Sequence, residues 1–149
     1  DGDAEWVAGL VRLDPARALE ALDATKEENS GEEWWQVAQA NALMRTGRRT
    51  EALAIYNRFE GEESAAAGLG LSDPAEGRRR FDAILAREPN DVDVWIALGE
   101  MERELGNVSA ARAAFERAVR LEPHNLRGVV RWREVTPAAG RGDAEPAMR

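Results

Sequence analysis

The sequence has no cysteine and a single histidine, His124, in 149 residues. Without cysteine there are no disulfides, no thiolate metal ligands and no thiol nucleophile, and the redox compartment stays open. Lysine is nearly missing as well: Lys26 is the only one among 20 basic residues, which face 28 acidic ones. The resulting formal charge of −8 argues against a nucleic-acid binder, because affinity there comes mainly from neutralising phosphates. No apolar run approaches the roughly 20 residues needed to span a bilayer, so direct membrane insertion is not expected. No stretch sustains an alternation of polar and β-branched residues, so no sheet is predicted. The chain begins at Asp1 with no basic segment and apolar core behind it. It reads as a mature or truncated form, with cytoplasm and bacterial periplasm both open as compartments.

What the sequence does contain is internal repetition, the first property to test in a helical composition. Shifted by 59 residues, it matches itself in a colinear series. Gly9-Leu10 falls on Gly68-Leu69, Asp14-Pro15-Ala16 on Asp73-Pro74-Ala75, Asp23-Ala24 on Asp82-Ala83, Gly47 on Gly106, and Ala52 on Ala111. A shift of 34 places Phe81 on Phe115 and Pro89 on Pro123. Asp14-Pro15 and Asp73-Pro74 are helix starts, where Asp accepts from unpaired amides and Pro at the first helical position loses nothing. Asn90-Asp91 and Thr50 are further candidate N-caps. Gly47 and Gly106 separate periodic segments, as where a helix ends in a left-handed residue. The pattern predicts helices over 4–12, 15–26, 33–46, 50–60, 63–71, 74–87, 92–105 and 109–121, with one more over 126–135.

Trp95-x2-Leu98-Gly99, Ala111-x3-Phe115, Ala118 and Pro123 resemble one full tetratricopeptide repeat, a helix–turn–helix unit of 34 residues. Gly99 and Ala111 are small where two helices must cross closely. Trp95, Leu98, Phe115 and Ala118 fill the space to the neighbouring hairpins. The departure is Glu102, where the family usually carries Tyr, which predicts looser packing to the next element. Residues 33–60 fit the frame through Ala40, Gly47, Ala52, Tyr56 and Phe59, but Gln36 holds the usual Trp position, with Trp34-Trp35 just before it. The resemblance implies an all-α, right-handed α-α superhelix of about four hairpins with a C-terminal capping helix. Residues 1–136 then form the repeat domain, with duplicated units at 4–62 and 63–121, a cap at 126–135 and a flexible tail at 137–149. Such units stack one-dimensionally, each hairpin burying the apolar face of the next.

Catalytic groupings are poor. His124 sits between Pro123 and Asn125 in an inter-repeat turn and lacks an orienting partner or a nucleophile nearby in sequence. Gly68-Leu69-Gly70 has no third glycine and no preceding strand, so it makes no dinucleotide loop. Asp91 and Asp93 read as a helix cap rather than a metal site. Glu27-Glu28, Glu32-Glu33 and Glu62-Glu63 fall at helix boundaries as solvated acids. Residues 1–60 carry −5, 61–100 carry −5 and 101–149 carry +2. The basic end holds Arg112, Arg120, Arg127, Arg131 and Arg133, interleaved with Glu116, Glu122 and Glu134 into a mixed surface. No catalytic residue, cofactor or metal is expected.

In the family the first helices of successive hairpins line a concave groove that takes peptides or helices of other proteins. Carried onto this chain, the resemblance puts Trp34, Val37, Asn41 and Met44 in the groove from one repeat. From the other it puts Asp93, Ile96, Glu100 and Arg103 there, each set spaced three, four, three along a single helix stripe. Asn41 alone matches the Lys, Arg and Asn pattern by which some members clamp a C-terminal carboxylate, so that role is disfavoured. Trp34, Val37 and Met44 read as an apolar anchor pocket, with packing of Trp34 on the preceding helix as the alternative. The expected function is a non-enzymatic scaffold or adaptor that binds a partner protein. The alternatives are a regulatory or substrate-presenting segment of a larger enzyme or cell-envelope assembly factor, and a self-assembling module that forms homo-oligomers.

Overall fold

The computed structural model of the protein describes residues 2–138. The tail proposed for 137–149 therefore lies, from 139 onward, outside the described residues. Among the described residues there is no strand, and the chain forms α1 (Gly2–Leu13), α2 (Pro15–Ala24), α3 (Lys26–Asn29), α4 (Glu33–Arg45) and α5 (Arg49–Tyr56). A 3-10 turn at Asn57–Phe59 leads to α6 (Glu63–Ser72), α7 (Pro74–Arg87), α8 (Val92–Glu104), α9 (Val108–Leu121) and α10 (Leu126–Val135). The predicted all-α superhelix is the observed fold.

Local chemistry accounts for most of the helix ends. Asp14 and Asp73 accept from the amides of Arg17 and Glu76, both at 3.2 Å, ahead of a first-position proline. Asp91 Oδ1 accepts from the amides of Asp93 and Val94, so it caps α8. Gly47 and Gly106 stand at φ 84° and 86°, a region that costs a residue with a Cβ and costs glycine little. Thr50 is not a cap. Helix α5 begins one residue earlier behind Arg48, whose guanidinium holds Glu51 at 2.7–2.8 Å instead. The four-residue α3, read from sequence as the end of α2 and a turn, arises because the amides of Asn29 and Ser30 continue to Thr25 and Lys26.

Apolar side chains gather in four successive clusters, each joining one hairpin to the first helix of the next. Val7, Val11, Ala18 and Leu22 of α1 and α2 meet Trp35 and Ala38 of α4. Ala40, Leu43, Ala52 and Tyr56 of α4 and α5 meet Ala65 and Leu69 of α6. Ala66, Phe81 and Ile84 of α6 and α7 meet Val94 and Met101 of α8. Ile96, Phe115 and Val119 of α8 and α9 meet Val129 and Trp132 of α10. This is the nearest-neighbour stacking expected of a solenoid. The helices of the last hairpin cross where a Cβ on Gly99 would penetrate the ring of Phe115. The backbones of α6 and α7 approach so closely that a Cβ on Gly77 would lie 2.9 Å from the amide nitrogen of Gly70.

One sequence expectation about packing holds and one changes. Gln36 keeps the position that Trp95 has in α8, and Trp35, at the place of Val94, is buried with its Nε1 donating to the Leu22 carbonyl at 3.2 Å. Gln36 turns outward to Ser30 and Arg58. Glu102 does not loosen the stack. It is buried and accepts two bonds from Arg78 at 2.9 Å and one from Asn107 at 3.0 Å, tying α8 to α7 and to the start of α9. The Arg78 guanidinium holds the Glu102 carboxyl below its ordinary value, against the opposing effect of burial.

Candidate functional site

Helices α1, α4, α6, α8 and α10 each open or extend a hairpin and share one side of the stack. Their like ends lie together. Ser64 at the start of α6 donates to Glu33 at the start of α4 at 2.8 Å, and Arg12 at the end of α1 pairs with Glu104 at the end of α8. Between these helices lie two cavities of about 490 and 460 Å³. The first is lined chiefly by α1, α4 and α6, the second by α6 and α8, and both share Arg12, Asn41, Ser64, Gly68 and Leu71. They are two parts of one groove.

The floor of the first part is apolar: Ala4, Ala8, Val11, Trp34, Val37, Ala38 and Leu71. Asn41 marks the junction. The hydroxyl of Tyr56 donates to its Oδ1 from the α5 side, and Gly68 leaves the room its amide occupies, since any Cβ there would collide with it. With Oδ1 engaged, the Nδ2 hydrogens are the donors Asn41 has left to offer. Burial pushes the Tyr56 phenol above its ordinary value, so it remains a neutral donor.

The eight residues taken from the sequence separate into two groups. Trp34, Val37, Asn41, Asp93 and Glu100 line the groove. Trp34 does so while also packing against the cluster of α1 and α2. Met44, Ile96 and Arg103 do not line it. Met44 packs toward Leu43, Ile55 and their neighbours. Ile96 is fully buried against α9 and α10, and Arg103 turns to Glu134 of α10 at 2.7 Å. The cause is α10, which docks on the flank of α8 that these two residues occupy.

The residues of α8 that line the groove with Asp93 and Glu100 are Ala97, Met101 and Glu104. The series 93, 97, 100, 104 is as helical as 93, 96, 100, 103. What distinguishes them is side-chain character, for a large β-branched Ile belongs inside and a small Ala tolerates a groove. The contributions of α1 and α6 were missed because no signature residues of the family mark those helices.

At the basic end, Arg127 and Arg131 reach Glu100 at 3.1 and 3.3 Å, Arg131 also reaches Glu134, and Arg120 pairs with Glu116. This is the mixed surface expected from the sequence. His124 is exposed. Among the described residues no group of His, Cys, Asp and Glu is arranged to hold a metal ion, and no helix is long and apolar enough to cross a membrane.

The family model described as tetratricopeptide repeat matches residues 65–125. Superkiller protein 3 of Saccharomyces cerevisiae is 28% identical over 91 residues, which is 60% of this chain and 6% of that protein. Cytochrome c-type biogenesis protein CcmH of Escherichia coli is 32% identical over 91 residues, 61% of this chain and 23% of that protein. The chain thus spans less than a quarter of either relative. No solved structure matches. Residues 65–125 thus carry the tetratricopeptide-repeat signature, within paired helices stacked through four consecutive clusters.

Proposed function

We propose that this chain is a non-enzymatic protein-interaction module whose groove receives a peptide or helix segment of a partner protein. The observation that carries the reading is the continuity of the two cavities through Asn41, Ser64, Gly68 and Leu71. An apolar floor with few polar groups at set points is the usual make-up of a recognition site. Trp34 supplies a large rigid anchor surface, and Asn41 supplies donors for a backbone carbonyl. Trp34, Val37, Asn41, Asp93 and Glu100 are the residues assigned to contact the partner.

The test is affinity capture from native lysate with Trp34→Ala and Asn41→Ala variants, with helical content followed by circular dichroism. Partner recovery falls in both variants while the helical signal stays native. Undiminished recovery in both, and in Glu100→Arg, contradicts the groove assignment.

A second reading, as a repeat segment serving envelope assembly, is favoured by the likeness to a protein named for cytochrome c-type biogenesis. Loss of c-type cytochromes in cells lacking this chain supports it, and unchanged levels contradict it.

A further inference from the structure

The first helices of the hairpins run in one direction, so the charge preferences of helix ends add up along the edges of the groove. Acids favour helix starts and bases favour helix ends. Glu33, Glu63 and Asp93 stand thirty residues apart, each in the first turn of α4, α6 or α8, and all three line the groove. Asp93 is not needed as a cap, since Asp91 already fills that role. The opposite edge carries Arg12 and Arg45 at the ends of α1 and α4.

The two edges are not equivalent once internal pairs are removed. Five acids (Glu33, Glu63, Asp93, Glu100 and Glu104) and three arginines (Arg12, Arg45 and Arg127) line the groove. Arg12 is engaged by Glu104, and Arg127 by Glu100. What remains is the row of three carboxylates on one edge and Arg45 on the other. Neighbouring acids add to the row: Glu33, Glu63 and Glu88 together raise the pKa of Glu62 beside it.

From this we infer that the groove selects a partner segment with an apolar side and lysine or arginine residues along one flank, laid so that its cations face Glu33, Glu63 and Asp93. The inference rests on the groove reading above and adds the charge and orientation of the ligand. The apolar side chains settle on the floor formed by Trp34, Val37 and Leu71. An acidic segment of the same shape is rejected, because like charges brought together at an interface are strongly unfavourable.

The experiment uses two synthetic amphipathic peptides with the same apolar face, one bearing lysine on its polar flank and one bearing glutamate. Binding to the chain is followed by calorimetry at low and at physiological salt. The lysine peptide binds at least about tenfold more tightly, and the advantage shrinks as salt screens it. The Glu63→Lys/Asp93→Lys double variant, altered only at partly or fully exposed positions, loses or reverses the preference. Trp34→Ala weakens both peptides. Equal binding of both peptides, still weakened by Trp34→Ala, overturns the charge inference and leaves the groove reading standing. Lysine-peptide binding that neither Trp34→Ala nor the double variant alters overturns both. Failure of the lysine peptide to bind at all overturns the inference.

Discussion

Helices α4 and α8 open equivalent hairpins and carry stripes of the same helical spacing, yet the two stripes meet different surroundings. On α4, Trp34, Val37 and Asn41 face the groove between α1 and α6. On α8, one flank of the stripe is taken by α10, so Ile96 becomes core and Arg103 becomes half of an ion pair. A face on a repeat helix is therefore a binding face only where no further element stacks on it. Helix α10 converts the α8 and α9 residues it packs on into core, and among the described residues Asp93, Ala97, Glu100, Met101 and Glu104 of α8 are left to the groove.

The contrast is open to direct attack through stability, beginning at the cap. Trp132 is fully buried between α9 and α10, and Trp132→Ala lowers unfolding free energy by about 3–5 kcal/mol in urea denaturation. Its buried Nε1 has no hydrogen-bond partner among the described residues. Next comes Ile96→Ala, worth about 2–5 kcal/mol if that residue is core. A loss below ~0.5 kcal/mol, the range of ordinary surface changes, places Ile96 back in the groove.

Arg78→Ala lowers the urea midpoint, because it leaves the buried Glu102 carboxylate with Asn107 as its remaining side-chain partner. The Glu102 carboxyl, lowered when folded from its ordinary 4.5, binds protons less readily in the native state than in the unfolded one. Its contribution is complete above that ordinary value and fades as pH falls through the lower folded value. A Glu102→Gln variant accordingly shows a shallower loss of stability below about pH 4.5 than the parent, read from denaturation curves at stepped pH. An unchanged acid limb contradicts the assignment.

Trp34→Ala, by contrast with Ile96→Ala, removes a side chain that is only partly withdrawn from water and lowers stability by about 1–2 kcal/mol. Its main consequence is loss of ligand binding. The smallest effect belongs to Arg12→Ala, which breaks the exposed pair bridging α1 and α8 and shifts stability by less than about 1 kcal/mol.

Most of the fold was legible because helix boundaries here depend on local chemistry. Asp-Pro starts, glycine ends and the small–aromatic pairs across each hairpin are short-range signals. Legibility declines where the deciding neighbour is distant in sequence. Gln36 does hold the position of Trp95, because α4 and α8 run in the same register, and it is Trp35 one residue earlier that is buried, at the place of Val94. Glu102 was read as a defect because its partner, Arg78, lies 24 residues away on another helix. On α4 the stripe gave Trp34, Val37 and Asn41 correctly but Met44 packs inward while Ala38 and Arg45 line the groove, and on α8 the outcome depended on which flank α10 would occupy. Periodicity defines a stripe to within one residue, and the packing of the last helix decides between the two choices.

The absence of cysteine makes the central contrast measurable without interference. Single substitutions Ala97→Cys and Ile96→Cys place a thiol on either side of the one-residue ambiguity on α8, in a chain with no other thiol. Reaction with a maleimide under native conditions is predicted to be fast for Ala97→Cys, to slow when the lysine peptide is bound, and to be slow throughout for Ile96→Cys. Fast labelling of Ile96→Cys together with protection of Ala97→Cys in the ligand-free protein would contradict the assignment of groove and core.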